Sequence, residues 1–570
     1  MNDLRPPLIE LPPPSPNRCE AEPIHLPGAI QPYGTLLTLH GPTLRLTQAA
    51  STCETLLGIA PADLLDRPLA DVFGAELADA VHIALAHYLE RPGQLAPFSW
   101  RSPASGAIFS GYVHQSDGLT VLELEPDSAT GRQTADLLGD ALTEFEAIRA
   151  ESELRAKAQT ATALFRRLTG YDRVMIYQFS SDWHGEVIAE SRRADLTPYL
   201  GLHYPASDIP AQARRLYLIN RAPVIADVNY TPALLFPAIN PVTGQPLDLS
   251  RSLLRSVSPV HRHYLRNMGV RATLAASLIR DGQLWGLLAC HHDQPRTVSR
   301  TMRQLVDWMA QDLSNQLALA EAVRSRRYAA HLKGSREQVL SALRQGVSLD
   351  ALIAGPELAD ILSVLGAEGV ALVHGTEIVS GGATPAPASI RAISNEVQAF
   401  RLPANRFVTD CLSQHLPWTT TIAATAAGAI VFTIDVQPAL TLIGFRGEQL
   451  RQVTWGGNPD KALDVAADGQ LSPRRSFAAW AQTVRLHSAA WTPEELESAG
   501  DLAALLDIEL RRSYEDERRI LYQSIAHLND IVLITEAEPI GQPSPSIIFV
   551  NEPFPRHTGH TQQAVVGQTP

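Results

Sequence analysis

The chain has 570 residues, 45% apolar and 19% charged, with a formal net charge of −13. That length exceeds one hydrophobic core and predicts roughly three or four domains, and the thin acidic balance without a Lys/Arg block argues against a phosphate-tracking nucleic-acid surface. No apolar run approaches the ~20 residues of a membrane span, the N-terminus lacks a signal-peptide core, and Cys19, Cys53, Cys290 and Cys411 form no CxxC pair, so a cytoplasmic protein without a disulfide framework or zinc site is expected.

Residues 1–18 are proline-rich and read as an extended arm, followed by the turn-rich run Cys19–Gly34. Short strands are expected at Thr35–Leu39, Leu44–Thr47, Ile108–His114 and Leu119–Leu124, with helices between about Thr52 and Leu89. This α+β pattern is compatible with a PAS-like sensor domain. Thr134–Leu168 reads as helical, with apolar Leu138, Leu142, Phe145 and Ile148, and strands follow at Arg173–Phe179 and Gly185–Glu190.

Tyr204 to His291 carries the densest chemistry. Ser207 and Asp208 precede Pro210, and proline favours the first turn of a helix. Helical spacing from there puts Arg214, Tyr217 and Arg221 on one face, and places Asp208 at a helix start with its carboxylate held by backbone N–H groups. Ser258 and Pro259 open a second helix that Gly269 closes, which sets His261 and Tyr264 on one face with Arg255 just upstream. Two arginines can hold two carboxylates bidentately. The stretch is therefore read as the wall of a pocket for a long, flat, doubly anionic molecule; a solvated basic stripe and a hydrogen-bonded core histidine are the plainer alternatives. Arg271–His292 reads as a hairpin turning at Asp281-Gly282. A simple two-residue turn pairs Ala272 with His291, so Thr273 and His291 share a face only if a bulge intervenes. Adjacent strand residues point to opposite faces, which makes Cys290-His291-His292 a poor metal site.

Arg300 to about Leu343 is a second long helix, whose Val306, Met309, Leu313, Gln316, Ala320 and Val323 form a narrow seam suited to pairing with another helix. Leu349–Trp480 returns to a mixed pattern. Within it, Phe445–Trp480 is too polar for its own core yet has aromatic and arginine anchors at each end, as a long docked hairpin would. Leu502–Leu528 is a third long helix with its own seam. Ile531–Gly559 resembles the opening of another PAS domain, which Pro570 leaves short of the roughly 100 residues such a domain needs. There is no Gly-rich ATP-lid run, no Gly-Gly-Asp-Glu-Phe motif and no Walker sequence, and the flanks of His527 do not resemble a kinase phosphoacceptor box, so no enzyme is expected.

Tyr204-Pro-Ala-Ser-Asp-Ile-Pro210, Arg255-Ser-Val-Ser-Pro-Val-His261, the Trp285-Gly to His292 run and Pro473-Arg-Arg-Ser-Phe477 together resemble the signatures of bacterial phytochromes, as does Cys19 shortly before Pro-Ile-His. The resemblance implies an α+β chain of tandem PAS, GAF and PHY domains, antiparallel sheets with flanking helices, joined by long helices. The expected boundaries are 1–127 for the arm and PAS domain, 128–322 for GAF, 323–511 for PHY with a tongue at about 442–482, and 512–570 for a signalling helix and incomplete PAS domain. It further implies a red/far-red photoreceptor that binds biliverdin IXα covalently through Cys19. Asp208 and His261 would face the pyrrole nitrogens, with Ile209 and Pro210 also in the binding set. Arg221 and Arg255, with Tyr217, Ser258 and Thr273, would hold the propionates, and Tyr177, Tyr204, Tyr264 and His291 would surround the rotating ring D. In the tongue, Trp455, Pro473, Arg474 and Ser476 are implied, Arg474 as the partner of Asp208 in one state, with Phe445–Trp480 changing fold and pulling on Leu502–Leu528. The chain departs from the pattern at Tyr204, Ala275 and Pro223, where Phe, Ser and Arg are more usual. A homodimer through the long helices and an unidentified downstream protein are expected; the rival reading is a non-photochemical PAS/GAF small-molecule sensor.

Overall fold

The computed structural model describes residues 22–91, 93, 95–127, 134–400, 406–434, 439–459, 463–465, 471–473, 477, 479–536 and 545–569. Cys19, Arg474 and Ser476 fall outside them. The chain divides into two compact units, Met1–Val323 with Gln452–Thr483, and Arg324–Arg451 with Val484–Pro570.

Among the described residues, the first unit holds two large sheets and one small two-stranded sheet. In the seven-stranded one, Thr35–His40 lies between Arg45–Ala50 and Leu119–Pro126, with Ile108–Ser116 and Phe98–Arg101 beyond. Four short helices between Thr52 and Glu90 cover one face, burying Leu37, Leu39, Leu46, Trp100 and Leu122. Two partners come from outside the expected pattern. Ala233–Phe236 pairs with Arg45–Ala50, and Ala29–Ile30 pairs on its far side, Ala29 opposite Leu234. The N-terminal segment is thereby laced to 233–256: Leu249 N–H donates to His25 O, Ser256 N–H to Ala29 O, and Gln31 N–H to Leu254 O.

The eight-stranded sheet runs Val224–Ile225, Ala272–Arg280, Gln283–His292, Arg173–Phe179, Gly185–Arg192, His203–Tyr204, Arg451–Gly456, Ala479–Val484. Its last two strands come from the predicted docked hairpin, whose tip is the pair Leu463–Val465 and Leu471–Pro473. The helix expected over Thr134–Leu168 is two, Thr134–Ala150 and Leu154–Thr169. Glu153 adopts extended backbone between them, and Lys157 Nζ donates to the end carbonyls of Ile148 and Arg149 at 2.9 and 3.1 Å, satisfying acceptors that a helix end leaves open. The seam on Arg300–Arg344 needs correction. Val306, Met309, Ala310, Leu313 and Leu317 make a stripe broad enough for a sheet core and are buried beside Phe165 and Leu288.

The second unit centres on a five-stranded antiparallel sheet, Glu377–Gly382, Gly369–His374, Leu440–Arg446, Gly428–Ile434 and Arg406–Thr409, with apolar cores on both faces. The third long helix spans Pro493–Ala526, starting earlier than its seam suggested because Thr492 and Glu495 form a reciprocal capping box. Leu502 and Leu506 are buried in the core, whereas Tyr514 and Leu521 are exposed. Leu533–Thr535 pairs with Ile547–Val550 as a small separate sheet. Among the described residues, no helix is long and apolar enough to cross a membrane.

Candidate functional site

Both proline-opened helices form as expected. Ala206–Asp208 is a single 3-10 turn, Pro210 precedes the helix Ala211–Ile219, and Ser258 precedes Pro259–Asn267, which ends before Gly269 at φ 74°. Asp281 and Gly282 both take positive φ, 49° and 75°, as a type I′ turn requires. The bulge is present too. Leu278 pairs with Gly286 but Ile279 with Leu284, leaving Trp285 extra, and from there the register sets Thr273 directly opposite His291. The Trp285 ring lies 3.9 Å from the Arg280 guanidinium carbon.

The two helices and the hairpin enclose a cavity in the first unit. Asp208, Ile209 and Pro210 line it from the turn before the first helix and Tyr217 from that helix, Arg255 and Ser258 from the segment before the second helix, His261 and Tyr264 from the second, and Thr273 from the sheet. Tyr177 and Tyr204 pack in the apolar layer formed with Phe179, Tyr199 and Leu287, their rings 6.0 Å apart. Pro223 and Ala275 lie on the cavity wall.

Asp208 does not cap the helix, since Pro210 holds the N-cap position. Its Oδ2 instead accepts a 2.8 Å hydrogen bond from Tyr264 Oη. The Tyr264 ring stacks on His261 at 6.1 Å and 11°. Burial pushes the His261 imidazole down to about 4, with Arg255 adding to the effect, and pushes His291 down to about 3 with help from Arg173 and His261. Both rings are therefore neutral at pH 7. Burial likewise lowers the Arg255 pKa and raises that of Tyr217.

Arg221 is not at the cavity. The helix ends at Ile219, Asn220 is extended at φ −106° and ψ 98°, and Arg221 turns away to pair with Asp307 at 2.8 Å. Helical counting ran past the helix end. Arg255 is thus the arginine of this wall, and its Nη1 donates to Ile24 O at 2.9 Å.

Three polar lining contacts escaped the sequence reading. Glu22 accepts from Ser258 Oγ at 2.9 Å, and burial raises its pKa. Gln31, 2% exposed, donates to Val224 O at 2.8 Å and to Arg255 O at 3.4 Å. Asn220 donates to Ser252 O at 3.2 Å. Glu22 and Gln31 showed only as polar residues inside a turn-rich run, which does not reveal partners some 200 positions away, and Asn220 only as a polar residue beyond the helix.

The docked hairpin reaches the same site. Trp455 pairs in parallel with His203, and its ring sits 5.9 Å from the His203 ring and 6.1 Å from that of His184. A Cβ on Gly456 would come within 2.5 Å of the Tyr204 ring, so only glycine permits this approach. Phe477 meets Tyr264 edge-on at 4.9 Å, and the strand ending at Pro473 runs beside the helix Pro259–Asn267.

Among the described residues, the cavity offers one buried guanidinium, hydroxyls at Tyr217, Ser258 and Thr273, and neutral imidazole, set among Ile24, Leu216, Val224 and Val257. Arg255 Nε is buried without a hydrogen-bond partner among the described residues, as is Nδ1 of His291, which pairs across from Thr273 but does not itself line the cavity. Such a donor set fits an elongated, largely apolar ligand that carries carboxylates, as a bilin does. Asp172, His292 and Asp293 cluster elsewhere, but Arg193 already bridges the two carboxylates at 2.9 and 2.8 Å.

Comparison with known proteins agrees with this geometry. A PAS fold profile matches residues 19–127, a GAF domain profile 153–320 and a phytochrome region profile 332–514. The bacteriophytochrome of Xanthomonas campestris pv. campestris is 36% identical over 559 residues, covering 96% of this chain and 87% of the relative. That of Pseudomonas aeruginosa is 36% identical over 524 residues, covering 88% and 67%. The crystal structure of a bacteriophytochrome from R. palustris superposes with a TM-score of 0.76 at 34% identity, covering 86% of this chain and 99% of that one. A chain that shares this much of its length, its three domain types and its fold with light receptors of one kind belongs to the bacteriophytochromes, red/far-red photoreceptors built on a bilin-binding PAS-GAF-PHY module.

Proposed function

We propose that this photoreceptor uses biliverdin IXα, joined through a thioether to Cys19 and seated in the cavity between the helices Ala211–Ile219 and Pro259–Asn267. The observation that carries this reading is the convergence of Arg255, Ser258, His261, Tyr264, Asp208 and Thr273 on one cavity, with Phe477 seated on its tyrosine. When bound, the bilin supplies visible-light absorption and a double bond that isomerises.

The chain's own groups do the rest. Arg255 holds one propionate through charge-assisted hydrogen bonds, and Tyr217, Ser258 and Thr273 complete the acidic end. With Arg221 paired to Asp307, a second propionate relies on these hydroxyls. His261, neutral through burial, offers one ring N–H and one acceptor toward the pyrroles. Tyr177, Tyr204 and His291 bound the end where ring D turns, and Ile209 and Pro210 shape the wall. Asp208 is the exchangeable acceptor, bonded to Tyr264 in this form and exchanging donors after the turn. Arg474 is the tongue residue suited to it in the second form.

The tongue is then a bistable element that strains on the phenol contact can bias, passing the change to Pro493–Ala526. We divide the chain into the arm and PAS domain (1–127), GAF (128–322), PHY (323–511) and a signalling helix with a partial PAS domain (512–570). Exposed Tyr514 and Leu521 support pairing of long helices in a homodimer, which signals to a protein partner in the cytoplasm. The test is assembly of the apoprotein with biliverdin followed by denaturation. Wild type is expected to retain the pigment and Cys19→Ser to release it; release from both, or retention by both, contradicts the attachment.

A further inference from the structure

Glu123 sits in the strand Leu119–Pro126 and is fully buried, yet it belongs to neither wall of the cavity. Its two oxygens accept the N–H groups of consecutive residues, Leu253 at 3.0 Å and Leu254 at 2.7 Å. The next residue is Arg255. The flanking groups are held as closely: Ser252 Oγ lies 3.3 Å from His114 Nε2, Gln31 N–H donates to Leu254 O at 2.7 Å, and the Leu254 side chain fills the space that a Cβ on Gly34 would need, at 2.8 Å. His114 Nδ1 stands 3.7 Å from Glu123 Oε1. Burying a carboxyl is costly unless its oxygens are satisfied, and a pair of acceptors matched to two successive N–H groups fixes both the position and the orientation of that backbone.

We propose that Glu123 is a positioning residue for the bilin site: by clamping Leu253 and Leu254 it sets where the Arg255 guanidinium stands, so that the PAS sheet aligns the group that binds a propionate in the neighbouring domain. This rests on reading the cavity as the bilin site. The clamp adds to the strand pairing and apolar contacts that hold 233–256 against the first sheet, where Leu235, Leu247, Leu249 and Leu254 pack beside Ile30 and Leu36.

Glu123→Gln keeps the volume but turns one acceptor into an NH2 that faces a backbone donor. Leu122→Ala is the control, because Leu122 is equally buried in the same strand but packs in the apolar core. Hydrogen exchange of the apoprotein is the first readout: the Leu253 and Leu254 amides should exchange at least about tenfold faster in Glu123→Gln, equivalent to losing one hydrogen bond, and not in Leu122→Ala. Assembly is the second: Glu123→Gln should take up biliverdin about tenfold more slowly than wild type and with a shifted absorption maximum, whereas with biliverdin dimethyl ester, which gives Arg255 no carboxylate, the two proteins should match. Exchange and assembly that do not separate Glu123→Gln from Leu122→Ala, or a defect undiminished with the ester, overturns the proposal alone. Wild type that takes up neither pigment overturns the reading of the cavity, and the positioning role with it.

Discussion

Tyr264 Oη donates to Asp208 Oδ2 at 2.8 Å, while the same ring meets that of Phe477 edge-on at 4.9 Å. One phenol thus joins the 206–210 turn, the cavity and the tongue. Tyr264 therefore touches both the Asp208 carboxylate and Phe477.

Tyr264→Phe tests that link. The ring, and so its contact with Phe477, is kept; the hydroxyl that donates to Asp208 is lost. A hydrogen bond to a charged group contributes about 1.5–3 kcal/mol, and the apoprotein should lose no more than that in denaturant melts. The assembled variant should show a shifted dark spectrum and a lower photoproduct yield, with pigment attachment unchanged.

Gly456→Ala tests the docking of the tongue. The added methyl would lie 2.5 Å from the Tyr204 ring, and overpacking of this kind costs about 1–3 kcal/mol. The strand pairing of Trp455 with His203 should loosen. Faster hydrogen exchange at 203–204 and 452–456, with the cavity amides unchanged, is the expected result.

The buried histidines make the apoprotein acid-sensitive. His114 and His291 are pushed down to about 3 and His261 to about 4, chiefly by burial. Each binds its proton more readily unfolded, near pH 6.5, so its contribution is complete above that pH and declines as pH falls toward the folded value. Glu123 acts in the opposite sense. Burial pushes it up to about 8, so it favours folding below about pH 4.5 and loses that contribution as pH rises toward 8. Between pH 6.5 and 4.5 three histidines outweigh one carboxyl, at about 1.4 kcal/mol per pH unit for each group. Urea melts across this window should show falling stability, and His114→Gln should reduce the slope by about one proton.

The parts of the site legible in sequence are those set by local chemistry. Proline before a helix located the start of both site helices, Gly269 located the end of the second, and Asp281-Gly282 located the hairpin. The bulge was legible as a condition: if Thr273 and His291 were to share a face, an extra residue had to lie between them, and Trp285 is that residue. Arg221 was misplaced because spacing cannot report where a helix ends; extended Asn220 ends it. The strand Ala233–Phe236 was invisible because four residues give no alternation to read, and its partners, Ala49–Ala50 and Ala29–Ile30, lie some 180 to 200 positions away. The seam on Arg300–Arg344 misled for a related reason: Ala310 and Leu317 widen it into a core-facing stripe once the sheet is there to receive them.

The most direct test of the account is the red/far-red difference spectrum of Asp208→Ala assembled with biliverdin. The predicted result is attachment equal to wild type with a difference amplitude about tenfold lower, since the exchangeable acceptor at the hub of cavity and tongue is gone. Red/far-red cycling of wild-type amplitude in that variant would contradict it.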